Sequence, residues 1–208
     1  MDTLHQRNLL VAKRLQKGLA SRNMQGFICE TAEEAKKLCL ELISSDETVA
    51  FGGSKTAEAL GLKEKLAAHG CKLVDGHDFA DPREGFLASF ASDSYICSSN
   101  AVSADGVLVN IDGNSNRVAA LAYGPKQVIM PLSIKKVCPD LDTAISRARN
   151  VAAPANALRF NDKTPCTKTG LCANCKLQET VCCNFLITRF SRVKNRIKVL
   201  IILEDLGF

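Results

Sequence analysis

The sequence predicts an α/β protein in which a mostly parallel sheet carries helices on both faces. Short apolar segments alternate with amphipathic segments at the spacing of βα units, which favours parallel strands joined by helices. Hydrophobic residues make up 46% of the 208 residues and charged residues 24%, a balance that excludes a disordered chain. We expect a single domain over residues 1–208, with a cysteine-rich segment at 164–183 and closing strands after it.

The first elements follow from periodicity and capping. Apolar residues recur at helical spacing over 3–24, and residues 26–29 form a short apolar strand. Thr31 and Glu34 are typical of a capping box, in which both side chains bond to backbone amides at the start of a helix. A helix is therefore predicted from that point to about residue 45.

The second strand, residues 48–51, runs directly into a glycine-rich turn and a helix that begins near Ala57. A turn of this kind can present free backbone amides to an anion. It can equally be a tight turn that needs glycine only for its backbone conformation. It lacks the glycine spacing of a Walker A loop. The candidate binding residues of the turn are Gly52, Gly53, Ser54 and Thr56.

The next elements continue the alternation of helices and strands. The pattern predicts helices over residues 63–69 and 81–90 and strands over residues 71–74 and 95–98. A further helix, capped by Asp140, is predicted over residues 140–151 and should end before Pro154, since proline interrupts a helix.

The stretch with most chemistry lies between two apolar strands, residues 107–111 and 127–131. The sequence Asp-Gly-Asn-Ser-Asn-Arg at 112–117 turns the chain sharply, because Asp, Asn and Gly tolerate tight turns and left-handed backbone. Ligands bind beyond the carboxyl ends of strands in parallel sheets. The candidate ligand-binding residues of this stretch are Asn100, Asp112, Asn116 and Arg117.

Asp112 is the best acid–base candidate, and its neighbour Arg117 limits its role. A nearby guanidinium lowers the pKa of a carboxyl group, which suits an ionised hydrogen-bond acceptor more than a general acid. The alternative is an aspartate that closes a turn onto its own backbone. A serine hydrolase is not indicated, because the G-x-S-x-G motif is missing. No catalytic residue can be named from the sequence.

The ten cysteines divide into isolated residues and a cluster. A secretory signal is missing, so disulfides are not expected, and the cysteines at 29, 39, 71 and 97 have the surroundings of small buried hydrophobes. Cys138 is also isolated, and its surroundings assign it to neither group as clearly. The other five lie within eighteen residues of a polar segment, which offers little core of its own. Four thiolates can bind zinc or an iron–sulfur cluster, and free thiols on a loop are the alternative. The predicted metal ligands are Cys166, Cys172, Cys175 and Cys182, with Cys183 as an alternative for the last.

Four segments of the chain resemble those of the LUD (lactate-utilisation, DUF162) family, and more narrowly its short branch with a cysteine-bearing C-terminal motif. They are SNAVSADGVLVNIDGNSNRVAALAYGPKQVI, AAPANALR, TPCTKTGLCANC and IKVLIILEDLGF. The resemblance implies a fold similar to the NagB/RpiA/CoA-transferase group and a role near lactate oxidation. It favours an anion site at the Gly52 turn, which corresponds to the ligand cleft of such folds. It also favours an iron–sulfur cluster over zinc, since lactate oxidation involves electron transfer.

The sequence is compatible with three functions. The first is an accessory protein of lactate oxidation that binds a small anion and carries a cysteine-ligated cluster, with or without catalysis of its own. The second is a stand-alone sugar-phosphate isomerase or an enzyme similar to formyl-tetrahydrofolate cyclo-ligase, with phosphate held at the glycine-rich turn. The third is a binding module in which a zinc-stapled loop docks a protein. Metal content discriminates the third from the first.

Charge and hydropathy set the expected location and partners. The net charge is +5, and the basic cluster over residues 189–198 lacks stacking aromatic residues, so it predicts a solvated hairpin end and not a nucleic-acid surface. No apolar run reaches the length of a membrane span. We therefore expect a cytoplasmic protein, either a homo-oligomer or a subunit of a complex with redox partners of lactate oxidation.

Overall fold

The computed structural model describes residues 2–160 and 163–208. Their strands form two sheets, one of six parallel strands and one of four strands with mixed directions. The large sheet has the order β1-β10-β7-β4-β2-β3 and the small sheet the order β8-β5-β6-β9. The predicted α/β fold with a parallel sheet is confirmed.

The strands of the large sheet are β1 (Gln25–Cys29), β2 (Thr48–Phe51), β3 (Lys72–Val74), β4 (Ser94–Ile96), β7 (Gln127–Ser133) and β10 (Ile197–Ile202). The strands of the small sheet are β5 (Ala101–Ser103), β6 (Leu108–Asp112), β8 (Val137–Cys138) and β9 (Asn184–Thr188). In the small sheet β6 runs antiparallel to both neighbours, and Asp112 pairs with Asn184.

The α-helices are α1 (Thr3–Ser21), α2 (Ala32–Glu41), α3 (Lys55–Ala59), α4 (Leu62–His69), α5 (Pro82–Ala91), α6 (Asn116–Ala122), α7 (Leu141–Arg147), α8 (Ala153–Phe160) and α9 (Cys166–Thr169). A 3₁₀ turn, Ile134–Lys136, follows β7. The predicted capping groups are present, since Thr31 Oγ1 accepts from the amide of Glu34 at 3.2 Å and Asp140 Oδ1 from that of Thr143 at 2.8 Å.

Each face of the large sheet is buried under helices. Alternate strand residues such as Val128 and Met130 pack with Leu15 and Leu19 of α1 in one core. Ile129, which points the other way, packs with α2 and α4 in a second core. This alternation follows from the pleat of a strand, which directs successive side chains to opposite faces. Both faces are therefore apolar, as a fully covered parallel sheet requires.

The helical stretch at 141–160 differs from the prediction, because it does not end before Pro154. A π-helical segment, Ala148–Ala152, separates α7 from α8, and Pro154 lies in the first turn of α8. Proline lacks an N–H donor and clashes with the carbonyl four residues earlier. A wider π turn immediately upstream accommodates both effects, so the helix continues through the proline.

The basic cluster near the C-terminus also differs in part from a solvated hairpin end. The guanidinium of Arg196 is half-buried and donates hydrogen bonds to the carbonyl oxygens of Ala120, Leu121 and Pro125. The first two carbonyls lie at the C-terminal end of α6, where a cation is favoured by the helix dipole. Arg196 thus holds α6 against the end of the large sheet. Within the described residues, no helix is long and apolar enough to cross a membrane.

The topology places one strand end where a ligand is expected. Strand β2 pairs with β3 on one side and with β4 on the other. The chain therefore continues from β2 to one side of it and then crosses to the other side. The carboxyl ends of β2 and β4 therefore border a crevice. The turn after β2 and the turn after β4 both contain residues predicted to bind ligand.

Candidate functional site

A cavity of about 760 Å³ opens at the carboxyl ends of the parallel strands. The turns that follow β2, β3, β4 and β6 form one part of its wall. The 3₁₀ turn after β7, helices α5 and α8, residues 178–181 of the cysteine-rich segment and Phe208 form other parts. We refer to this space as the ligand cavity. Its size lies within the range of small-molecule sites, roughly 300–1,000 Å³.

The structure brings the predicted ligand-binding residues together in this cavity. All of them except Thr56 line its wall, namely Gly52, Gly53, Ser54, Asn100, Asp112, Asn116 and Arg117. Thr56 is buried directly behind the wall and contacts Lys136, which does line it. The glycine-rich turn and the Asp112 turn are separated by some sixty residues of sequence, yet they face one space.

Arg117 is fully engaged with the protein. Its Nη1 atom donates to the carbonyl of Ser98 at 3.0 Å and to Asn110 Oδ1 at 2.8 Å. Its Nη2 atom donates to Asn100 Oδ1 at 3.1 Å and to the carbonyl of Ile111 at 2.7 Å, and Nε lies 3.6 Å from Asp112. The four hydrogen bonds use all four N–H groups of Nη1 and Nη2, and the contact of Nε with Asp112 is an ion pair. Arg117 therefore joins the turn after β4 to β6.

Asp112 and Asn100 are also committed to local structure. Asp112 Oδ1 accepts from the amide of Ser115 at 2.9 Å, and Oδ2 accepts from that of Val118 at 3.3 Å. Asp112 thus closes the turn and caps α6, which is one of the two roles that its sequence context predicts. Asn100 Oδ1 accepts from the amide of Ile111 at 2.8 Å as well as from Arg117. These residues shape the cavity wall.

The two glycines of the turn after β2 have different surroundings. A methyl group at Gly52 would overlap the hydroxyl of Tyr95 and lie 2.9 Å from Cγ of Arg117. At Gly53, by contrast, a methyl group would have no neighbour within 4 Å. Gly52 is therefore required for the close approach of backbone to the Arg117 network. Gly53 borders open space in the cavity.

Several polar groups of the ligand cavity have no hydrogen-bond partner within residues 2–160 and 163–208. The backbone N–H groups of Gly53 and Ser54 donate no hydrogen bond there, and neither does the side chain of Asn116 or the hydroxyl of Tyr95. Burial raises the pKa of Tyr95, so its hydroxyl stays protonated. The turn after β2 thus offers two free N–H donors, and Asn116 and Tyr95 add side chains that can donate, which suits an acceptor-rich ligand at this part of the wall.

Lys136 lies at the base of the cavity and was not identified from the sequence. It is only 4% exposed, and its ammonium donates to Thr56 Oγ1 at 3.0 Å, Ser98 Oγ at 3.2 Å and the carbonyl of Ser99 at 3.4 Å. All three acceptors are neutral, and Lys136 has no carboxylate partner in the described part of the chain. A buried lysine without an ion pair is unusual.

The electrostatic surroundings of Lys136 oppose its charged form. Burial, together with the positive charges of Arg147, Lys135 and Arg117, lowers the pKa of Lys136 to about 7. Strongly perturbed pKa values in a cleft are typical of functional sites. The burial of Lys136 cannot be predicted from the sequence, because a Lys-Lys pair after a strand is normally exposed, as Lys135 is.

The C-terminal segment forms the rim of the ligand cavity next to Lys136. Phe208 lines the cavity, and Gly207 has φ +66. A side chain at Gly207 would overlap the hydroxyl of Thr56 and lie 3.4 Å from Nζ of Lys136. Only glycine combines this left-handed backbone with so close an approach.

The predicted metal ligands surround a second, smaller cavity of about 60 Å³. Cys166, Cys172, Cys175 and Cys182 all line it, whereas Cys183 does not. We refer to this space as the thiol cavity. In the residues described, no group of three or more His, Cys, Asp or Glu side chains is arranged to hold a metal ion. The isolated cysteines at 29, 39, 71 and 97 are buried, as the sequence predicts.

Donor groups surround the sulfur atoms of the thiol cavity. Arg149 Nη2 lies 3.6 Å from Cys172 Sγ, and the amide of Asn174 lies 3.4 Å from the same atom. The hydroxyl of Thr164 is 3.1 Å from Cys166 Sγ. Burial, together with the other four clustered cysteines, raises the pKa of Cys182 to about 11. The metal-free thiols are therefore held close enough to repel one another as thiolates.

The two cavities share a wall. Thr180 and Val181 line both of them. Thr180 Oγ1 accepts from the amide of Cys182 at 3.3 Å. The segment then enters β9, where Asn184 pairs with Asp112 and donates a hydrogen bond to Ser115. The cysteine-rich segment is thus attached to the same turn that carries Arg117.

Comparisons with known proteins agree with this architecture. A crystal structure of a DUF162 family protein from Deinococcus radiodurans, at 1.70 Å resolution, is similar to the chain with a TM-score of 0.54 and 10% sequence identity. The match covers 94% of this chain and 97% of that one, and at such identity it shows the fold alone. No curated protein matches the chain. The sequence profile of the LUD domain matches residues 12–202, and the chain therefore belongs to the LUD domain family.

Proposed function

We propose that the protein is a lactate-utilisation-type LUD protein whose ligand cavity binds a small carboxylate of the 2-hydroxy or 2-oxo acid class, as an accessory to the oxidation of lactate. One observation carries the proposal. The cavity combines unpartnered N–H donors with a buried lysine that has no carboxylate partner. Such a site attracts an anion, since a buried donor without an acceptor and a buried cation without a counter-charge are both costly.

The binding group of the cavity is the turn after β2. The amides of Gly53 and Ser54 are free at the open side of the cavity, and Asn116 faces the same space from the first turn of α6. A carboxylate bound there would accept charge-assisted hydrogen bonds, which are stronger than neutral ones. Arg117 holds the opposing wall in place and acts as a positioning residue.

The volume of the ligand cavity favours a second candidate ligand. A space of about 760 Å³ is much larger than a three-carbon acid needs, so a longer acid or a second molecule fits beside it. A sugar phosphate would also fit, with its phosphate at the Gly52 turn. The stand-alone sugar-phosphate enzyme therefore remains the second candidate, and the same binding experiment separates the two.

We propose in addition that Cys166, Cys172, Cys175 and Cys182 hold a metal centre, either an iron–sulfur cluster or zinc. The all-thiol donor set fits both, and N–H donors near Cys172 would stabilise thiolate ligands. A volume of about 60 Å³ suits a single ion better than a cluster, which would need the walls to separate. A bound cluster would supply electron transfer, whereas zinc would fix the segment.

Two measurements test these proposals. Calorimetric titration of the protein with L-lactate, pyruvate, acetate and a sugar phosphate should show binding of the 2-substituted acids in preference to acetate. Preferential binding of the sugar phosphate would favour the second candidate, and no binding of any of them would contradict an anion site. Metal analysis and an absorption spectrum after anaerobic purification decide between iron with sulfide, zinc and free thiols.

A further inference from the structure

We propose that Lys136 is a nucleophilic amine that forms an imine with the carbonyl carbon of a 2-oxo acid bound in the ligand cavity. This inference rests on the proposed function, since it requires that a 2-oxo acid occupy the cavity. It goes further in giving the protein a covalent step of its own. Lys136 lies at the base of the cavity, and no sequence motif identifies it as a functional residue.

The contacts of Lys136 leave its amine available for chemistry. Its three partners are the hydroxyls of Thr56 and Ser98 and one backbone carbonyl, at 3.0 to 3.4 Å. Neutral acceptors of this kind orient the nitrogen without neutralising its charge as a carboxylate would. Thr56, Ser98 and Gly207 surround the nitrogen of Lys136, which is one of the residues that line the ligand cavity. A ligand can therefore reach it.

The charges that face Lys136 favour the unprotonated amine. Arg147 from α7, Arg117 from α6 and the adjacent Lys135 are all positive, and burial adds to their effect on the pKa. The cavity is also lined by Tyr95, by the acids Asp75, Asp112 and Glu179, and by the bases Lys55 and Arg159. Asp75 pairs with Lys63 and Asp112 with Arg117, whereas Lys55 and Arg159 pair with Glu58. Desolvation and cationic neighbours are the two means by which proteins activate a lysine nucleophile. A substantial fraction is then free amine near neutral pH.

The chemical step is balanced without a further reactant. The lone pair of Nζ attacks the carbonyl carbon, and the π electrons of the C=O bond move to its oxygen. A proton released by the nitrogen passes to that oxygen, for which the hydroxyl of Ser98 at 3.2 Å from Nζ is a suitable relay. Loss of water then gives the imine. The free amides of Gly53 and Ser54 would hold the carboxylate of the ligand meanwhile.

Reductive trapping tests the inference. The intact protein is incubated with pyruvate and sodium borohydride, which reduces an imine to a stable N-(1-carboxyethyl)lysine, and the modified residue is located by peptide mass spectrometry. We expect nearly stoichiometric adduct at Lys136. L-Lactate has no carbonyl group and should give none. Lys136→Arg should lose the adduct, whereas the matched control Lys135→Arg should retain it, since Lys135 is exposed.

The outcomes separate this inference from the proposed function. Calorimetric binding of pyruvate without adduct, or adduct spread over surface lysines and unchanged in Lys136→Arg, would overturn the imine and leave the anion site standing. If pyruvate neither binds nor forms an adduct, the imine and the anion site are both overturned. Because Lys136→Arg keeps the positive charge, thermal unfolding of the variant shows whether a lost adduct reflects lost folding. Lys136→Met, which fits an apolar wall, provides a second amine-free variant.

Discussion

Nη1 of Arg117 lies 2.8 Å from Oδ1 of Asn110, and this contact leaves the amide nitrogen of Asn110 as the one buried side-chain nitrogen or oxygen of the described residues without a partner. The side chain of Asn110 can offer its oxygen to Arg117 only by turning its nitrogen away. An unpartnered buried donor costs roughly 1–3 kcal/mol. The structure bears this cost at the centre of the Arg117 network, which indicates that the network is needed to hold the cavity wall.

Arg117→Ala should therefore destabilise the fold as well as disturb ligand binding. Removal of the guanidinium leaves the acceptors on Asn100, Asn110, Ser98 and Ile111 without their donor. We expect a loss of about 3 kcal/mol in the free energy of unfolding, measured by urea denaturation. An Arg117→Ala protein as stable as the wild type would show that the guanidinium is free to serve the ligand instead.

Gly52→Ala should weaken the same region by overpacking. The added methyl group would meet the hydroxyl of Tyr95 and the side chain of Arg117. Overpacking of this kind costs roughly 1–3 kcal/mol. A lowered melting temperature with weakened pyruvate binding is the expected result. Unchanged stability would mean that Tyr95 and Arg117 can move apart without cost.

The stability of the protein should depend on pH through Lys136. Its pKa is about 7 in the folded protein and 10.5 when unperturbed, so between these values the unfolded chain holds a proton that the folded chain lacks. Stability rises with pH wherever the unfolded state binds more protons. The free energy of unfolding of the wild type should therefore increase across this window relative to Lys136→Met. Parallel curves for the two proteins would contradict the lowered pKa.

Adjacent cysteines give a matched pair for the thiol cavity. Cys182 lines the cavity and Cys183 is exposed beside it. Cys182→Ser should reduce the metal content per chain strongly, whereas Cys183→Ser should leave it unchanged, because only the former removes a ligand. Metal analysis and thermal unfolding of both variants provide the comparison. Equal losses of metal in the two variants would contradict the assignment of Cys182, in preference to Cys183, as the fourth ligand.

The parts of the fold that the sequence predicts are those set by local chemistry. Thr31 and Asp140 cap helices because short polar side chains reach first-turn amides in any context. The Gly52 turn borders a cavity because ligand crevices lie at the carboxyl ends of parallel strands. The Asp112 turn belongs to the small sheet and reaches the same cavity through Arg117, which bonds to the turn after β4. Four clustered cysteines face one space because their segment is too short and polar to place them elsewhere. These inferences need no knowledge of distant packing.

The parts that the sequence does not predict depend on tertiary contacts. Lys135 and Lys136 are identical neighbours, and only the register of the turn after β7 decides that one is exposed and the other buried. The sequence predicts Arg117 as a ligand-binding cation, because its acceptors cannot be identified from local sequence. Two of them are the backbone carbonyls of Ser98 and Ile111, at the ends of other strands. Pro154 stays within a helical stretch because a π segment precedes it.

The central claim is that the ligand cavity binds the acid, and Gly53→Leu tests it most directly. A Cβ atom at Gly53 meets no atom within 4 Å and the backbone there is not left-handed, so we expect leucine to occupy the space beside the free amides without loss of stability. We predict that calorimetric titration with pyruvate shows binding to the wild type and none to Gly53→Leu, at equal melting temperatures. Equal affinity of the two proteins would contradict the account, because it would place the binding site elsewhere.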